Sequence, residues 1–260
     1  MRQGGQPNVL NPAKSASLRT VQSFSFRYGK VEVRARLPKG DWLWPAIWML
    51  PRYNNYGNWP ASGEIDIMES RGNDINYQFG GRNQFGSTLH WGSDWRTNSF
   101  LKTHQLYNSS IDLSDDFHVY GLIWNETYIG TYIDREDQVV LNVPINQSFW
   151  ELGGWGTSRQ NPWQGRGNAA PFDSEMYLII NVAVGGTNSY FPDGAGKPWN
   201  NTDPAAMSNF WAARDQWYPT WTQPMAVDYV KVWRQRNKAS CQTPLTMSSF
   251  ILGMVIALIF

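Results

Sequence analysis

Residues 22–37, QSFSFRYGKVEVRARL, alternate apolar and polar in two stretches broken at Tyr28-Gly29, a pattern that predicts strand, turn and strand. In the second stretch Val31, Val33, Ala35 and Leu37 share one face, while Glu32, Arg34 and Arg36 share the other. WPAIWML at 44–50 is continuously apolar and predicts a strand buried on both faces. A strand over 62–70 follows, then a Gly/Asn/Gln-rich loop over 72–86. Further strands are predicted at 86–91, 117–124, 127–134, 138–143, 176–184 and 225–233. The stretches 150–172 and 185–224 hold most of the Gly, Pro, Asn and Trp and read as long surface loops. A short helix is expected within 203–214, with Asp203 as its N-cap and Pro204 at its first position. No long amphipathic helix, internal repeat or dinucleotide glycine fingerprint is visible. The prediction is an all-β sandwich with long loops, one domain over 1–235 followed by a tail over 236–260.

The densest chemistry is the run GEIDIMES, with three acids at Glu64, Asp66 and Glu69. Glu64 and Asp66 are two apart and share a face of a strand. Glu69 is at an odd offset from Glu64 and would fall on the opposite face of a regular strand. One extra residue near Met68, a β-bulge, would bring it back. Three like charges on one face beside Ile65, Ile67 and Met68 are costly to ionise together, so at least one carboxyl should titrate high. A carboxylate beside a protonated carboxylic acid is what glycosidic cleavage with retention requires. The alternative is a solvated strand face.

What weighs against the solvated face is the company of tryptophan. The chain has 15 Trp in 260 residues, and many flank the acids: GDWLWPAIWMLP and NWPASGEID upstream, TLHWGSDW downstream. Flat aromatic faces suit pyranose rings, whose C–H groups pack on them while hydroxyls reach polar neighbours. With only 17% charged residues, so many Trp are hard to bury entirely, and a partly exposed aromatic cleft is expected. A formal net charge of +1 gives no large field, which argues against nucleic acid and favours a neutral polymer.

The single cysteine, Cys241, excludes an internal disulfide and a thiolate zinc cluster, and no metal site is assigned. Sequons at Asn108, Asn125, Asn146 and Asn200 lean toward a secreted glycoprotein. Residues 1–25 lack the apolar core of a signal peptide, so an N-terminally truncated chain is expected. After Ala239, Ser240 and Cys241 a short polar spacer leads to FILGMVIALIF, which reads as a GPI-attachment signal, a marginal membrane anchor or a tail packed on the domain.

Taken in order, LRTVQSFSFRYGKVEVRARLPKGDWLWPAIWMLP, NWPASGEIDIMESRGN, TLHWG, FHVYGLIWNETYIGTYID, PFDSEMYLIINVAVGG and VDYVKVW resemble glycoside hydrolase family 16. The likeness is to its laminarinase-type endo-β-1,3-glucanases and the invertebrate β-1,3-glucan-binding proteins. The resemblance implies a curved, concanavalin-like β-jelly roll whose cleft takes β-1,3-glucan, acting as a monomer outside the cell or at its surface. It implies Glu64 as nucleophile, Glu69 as acid and then base, and Asp66 as the helper between them. It places Trp59 beside the cleaved sugar, Trp44 along the aromatic floor and His90 near the acid as substrate-binding residues. It implies no catalytic cofactor. A structural calcium of some relatives would map onto Asp228 and the Gly29 carbonyl, although a further ligand strand is lacking. Three activities remain open on this reading: an endo-glucanase, a glucan-binding recognition protein without turnover, and a wall transglycosylase.

Overall fold

The computed structural model describes residues 11–234, together with the backbone of Leu252 and Gly253. In chain order the strands are β1 (Ser17–Arg19), β2 (Gly29–Arg36), β3 (Leu43–Pro51), β4 (Glu64–Ser70), β5 (Gln84–His90) and β6 (His104–Asn108). There follow β7 (His118–Trp124), β8 (Tyr128–Ile133), β9 (Val139–Pro144), β10 (Met176–Val184), β11 (Ala226–Arg234) and the short β12 (Leu252–Gly253). They pair antiparallel in two six-stranded sheets, ordered β1-β10-β3-β4-β5-β6 and β12-β11-β2-β7-β8-β9. The predicted all-β sandwich stands.

Alternation builds the core. In β2, Val31, Val33 and Ala35 are fully buried, while Lys30, Glu32, Arg34 and Arg36 stand on the outer face. Ile65, Ile67 and Met68 of β4 meet Leu122 and Trp124 of β7 and Ile129 of β8 in one hydrophobic cluster between the sheets. Burying one such large side chain is worth about 1.5–3 kcal/mol.

Several expectations are corrected. Residues 22–27 are not a strand: the chain turns at Thr20–Phe24, and only Phe26 bridges to Met176. Strand β3 is not buried on both faces, because Trp44, Trp48 and Leu50 stay partly exposed opposite Ile47 and Met49. That face meets the cleft rather than a third layer. Strands β1 and β6 leave no periodic signal because they are short and mostly exposed at sheet edges, where neither face carries an apolar repeat. A helix α1 (Phe149–Gly153) interrupts the supposed loop, with Ser148 and Glu151 forming a reciprocal capping box. The second helix, α2 (Ala206–Ala212), starts later than expected: Ala205 caps it, and Asp203 accepts instead from Ala205 N–H and the Asn209 amide.

The tryptophans divide between the core, the cleft and the outer surface, where Trp95 and Trp211 are exposed. Trp91, Trp124, Trp163 and Trp217 are buried, and Trp42 and Trp199 pack with Phe191 and Phe210 in a second cluster that anchors the 185–224 loop. Trp59 remains 44% exposed. The hydrophobic tail lies outside the described residues apart from the backbone of β12. Among the described residues no helix is long and apolar enough to cross a membrane.

Candidate active site

The bulge in β4 decides the site. Against β3, Ile47 pairs with Met68 and Trp48 with Asp66, leaving Ile67 without a partner. Against β5, Asp66 pairs with Thr88 and Glu69 with Gly86, so Ser87 alone faces both Ile67 and Met68. Two consecutive apolar residues therefore enter the core, and Glu64, Asp66 and Glu69 come out on the same side.

A polar thread with no signature in the local sequence holds this bulge. The Ser87 hydroxyl donates to the Ile67 carbonyl (2.6 Å), Thr131 Oγ1 donates to Ser87 Oγ (2.7 Å), and Leu141 N–H donates to Thr131 Oγ1 (3.1 Å). Ser87 and Thr131 are both buried, so the chain of bonds runs through the core from β8 and β9 to β4. Ser87→Ala takes the hydroxyl donor from the Ile67 carbonyl and the acceptor from the Thr131 O–H, which keeps only the bond it accepts from Leu141 N–H. It should cost about 1–3 kcal/mol in urea unfolding. An unchanged unfolding midpoint would show that the thread does not hold the bulge.

Gly63, at φ +82°, turns the chain into β4, and a Cβ there would come within 3.1 Å of the Phe172 ring. Just upstream, Ser62 accepts from Tyr56 N–H and donates to the Gly57 carbonyl, fixing the loop that carries Trp59.

Each outer carboxylate is gripped by an indole. Trp59 Nε1 donates to Glu64 Oε2 at 2.8 Å, and Trp44 Nε1 donates to Glu69 Oε1 at 3.0 Å. One oxygen of each acid is thereby engaged and the other left for chemistry. His90 Nε2 lies 3.2 Å from Asp66 Oδ2 and 3.9 Å from Glu64 Oε1. The Asn98 amide nitrogen lies 2.8 Å from His90 Nδ1, while Asp66 Oδ2 is buried and accepts no hydrogen bond among the described residues, so His90 acts on it by proximity alone. Phe100 stacks on the same imidazole at 5.2 Å.

Burial is the first cause lifting all three carboxyls above their usual range. Repulsion from Asp66 adds to it at Glu64, and repulsion from Glu69 adds to it at Asp66. At Glu69 the nearby His90, the Trp44 N–H and the Arg71 guanidinium oppose the rise. As a unit the trio retains a proton at a pH where an isolated carboxyl would have lost it.

Glu64 and Glu69 lie in a groove of about 670 Å³ lined by Trp44, Trp59, Arg71, His90, Phe100 and Tyr190 among others. A neighbouring hollow of about 610 Å³, with Trp48, Tyr53 and Tyr177 on its walls, also includes Trp59 and Glu64. The two hollows meet at these shared residues, so Glu64 sits between stretches of groove rather than at a blind end. A larger polar hollow lined by Arg27, Tyr56 and Arg166 contains none of the acids.

Trp44 lines the groove, but Tyr190 is stacked on it at 3.8 Å and 4°, which closes that face to a sugar. Asn98, Arg71 and Tyr190 went unnoticed in the sequence reading. Arg71 had a usable signal, lying two residues beyond Glu69 on the same side of the chain. Asn98 and Tyr190 had none, since both lie in polar, turn-rich segments.

The calcium mapping does not fit. Gly29 pairs with Arg234 while Asp228 lies at the other end of β11, where its carboxylate meets Arg34 at 2.6 Å. The intervening strand puts the two supposed donors roughly 16 Å apart. Glu64, Asp66 and His90 do offer atoms within 4.8 Å of one another, close enough to share a cation, but one there would occupy the oxygens described above.

Comparison with known proteins agrees with this architecture. The profile described as Glycosyl hydrolases family 16 matches residues 4–150. A "Beta-1,3-glucan-binding protein" of Penaeus monodon is 51% identical over 91% of this chain and 67% of its own length. A "Glucan endo-1,3-beta-glucosidase" of Cryptopygus antarcticus is 36% identical over 86% of this chain and 69% of its own. For several further curated relatives the chain spans only 46% of their length. Among solved structures, the laminarinase catalytic domain of Thermotoga maritima superposes with a TM-score of 0.57 at 29% identity, covering 85% of this chain and 69% of that one. The two antiparallel sheets are those of the laminarinase β-jelly roll, and the chain belongs to glycosyl hydrolase family 16.

Proposed function

We propose that this protein cleaves β-1,3-glucan within the polymer and retains the configuration at the anomeric carbon. The observation that carries the reading is the bulge that sets Glu64 and Glu69 on one face, each with one oxygen held by an indole N–H. In the first step a Glu64 oxygen forms a bond to the anomeric carbon. The C–O bond to the leaving sugar breaks, and Glu69 gives that oxygen its proton. In the second step Glu69, now a carboxylate, takes a proton from water as the water oxygen attacks the same carbon and Glu64 leaves. Asp66, with His90 against it, shapes the charge beside Glu64. The adjoining hollows on either side of Glu64 and Trp59 support internal rather than terminal cleavage. The site of action is proposed to be extracellular, in keeping with exposed sequon asparagines at Asn108, Asn146 and Asn200.

A second reading is binding of β-1,3-glucan without turnover, favoured by the name of the Penaeus relative. Two working carboxyls kept on one face against their mutual repulsion weigh for turnover. Incubation with laminarin, followed by product sizing and proton NMR of the newly formed anomeric centre, decides between them. Hydrolysis gives short oligomers released first as the β-anomer. Unchanged polymer would support the binding reading, redistribution into longer chains would indicate transglycosylation, and initial release of the α-anomer would overturn retention.

A further inference from the structure

The closest ring stack in the groove belongs to a residue with no hydrogen bond to any of the acids. Tyr190 lies flat on Trp44, with ring centroids 3.8 Å apart and planes 4° from parallel. With Trp44 covering one face of the tyrosine ring, the Arg71 guanidinium carbon, 4.4 Å from the ring centroid, must cover the other. Arg71 is itself tied down by bonds to the Tyr190 carbonyl at 2.6 and 3.2 Å and to the Phe79 carbonyl at 2.7 Å. The column is rooted from outside the groove. Phe191 is fully buried against Trp42 and Trp199, and Ser189 takes a left-handed φ of 70° just before Tyr190. The far end of the column is the Trp44 N–H on Glu69 Oε1 at 3.0 Å.

We propose that Tyr190 is a positioning residue for the general acid: clamped between Arg71 and Trp44, it holds the indole N–H on one oxygen of Glu69, leaving the other to carry the proton to the glycosidic oxygen. This rests on the hydrolase reading of Glu69. An indole free to turn about its side-chain bonds would release Oε1, and the carboxyl could then present either oxygen in several orientations. The stack removes that freedom before substrate arrives, which is how a correctly aimed proton donor contributes to rate. It also keeps the Trp44 N–H and the Arg71 charge close to Glu69, and both hold its carboxyl down against burial. A tyrosine that only packed its loop would affect folding but not the chemistry of protonation.

The leaving group separates the two roles. Laminarin expels a sugar alkoxide that needs the proton, whereas 2,4-dinitrophenyl β-laminaribioside expels a phenolate that hardly does. Tyr190→Ala should lower kcat on laminarin by about 10- to 100-fold, with little change in KM, and leave kcat/KM for the dinitrophenyl substrate within about threefold of wild type. The alkaline limb of the laminarin pH profile should move to higher pH, as Glu69 loses groups that favour its charged form. Tyr190→Phe keeps the ring and should match wild type on both substrates. Tyr190→Leu fills the space without a flat face and should behave as the alanine variant does, which covers the case in which the smaller side chain unfolds the loop. Equal losses on both substrates, or none on either, would overturn the inference, as would a phenylalanine variant as impaired as alanine. Wild-type protein inactive on both substrates would instead overturn the hydrolase reading beneath it.

Discussion

Glu64→Gln is expected to abolish laminarin turnover, by about 10⁴-fold or more, while glucan binding stays within about threefold of wild type. The substitution removes the attacking oxygen but keeps a carbonyl able to accept the Trp59 N–H now bound at 2.8 Å. The groove should keep its shape, because Trp59 and His90 remain where they are. The same variant should be more stable than wild type at neutral pH. Burial and the neighbouring Asp66 raise the Glu64 carboxyl well above its ordinary range in the folded protein. A group raised in this way adds stability below its unfolded pKa of about 4.3, and that contribution is lost as pH rises through the folded value. Above the unfolded pKa the wild type must either bury the charge or take up a proton on folding, a cost that glutamine does not carry. Thermal melts from pH 4 to pH 8 should show the variant's advantage growing with pH. An advantage that does not grow would mean Glu64 ionises as freely in the fold as in the unfolded chain. Retained turnover would remove Glu64 from the mechanism.

Glu69→Gln comes next in size. The lost acid should cost about 10²- to 10⁴-fold on laminarin, and the dinitrophenyl substrate should suffer much less in its first step. In the second step the variant lacks the base that activates water. Azide, a nucleophile that needs no deprotonation, should restore release of the glycosyl group from Glu64 and give a β-glycosyl azide. Formation of the α-azide, or no azide product from an enzyme that still forms the intermediate, would contradict the assignment. The Glu69 carboxyl is also raised by burial, so Glu69→Gln should stabilise the neutral-pH fold in the same direction.

Much of the site could be read from spacing. The same-face relation of Glu64 and Asp66 needs only the two-residue period of a strand, and the offset of Glu69 called for one extra residue near Met68. The structure places it there, with Ile67 unpaired against β3 and both Ile67 and Met68 in the core. Aromatic richness foretold a groove but not the division of labour within it. Trp91, Trp124 and Trp217 are core residues, while Trp44 and Trp59 act on the carboxylates through their N–H groups.

Periodicity along the chain determined the all-β class, the core-facing side of β2 and the shared face of the acids, because those properties depend on neighbours one to five residues away. The grip on those acids was decided only by the tertiary fold. Tyr190 on Trp44, Thr131 on Ser87 and Asn98 on His90 are contacts between different loops and strands. Each depends on where two sheets and a long loop come to rest. A local sequence pattern has no means of encoding which distant side chain will fill a given space, since that is chosen by packing across the whole domain.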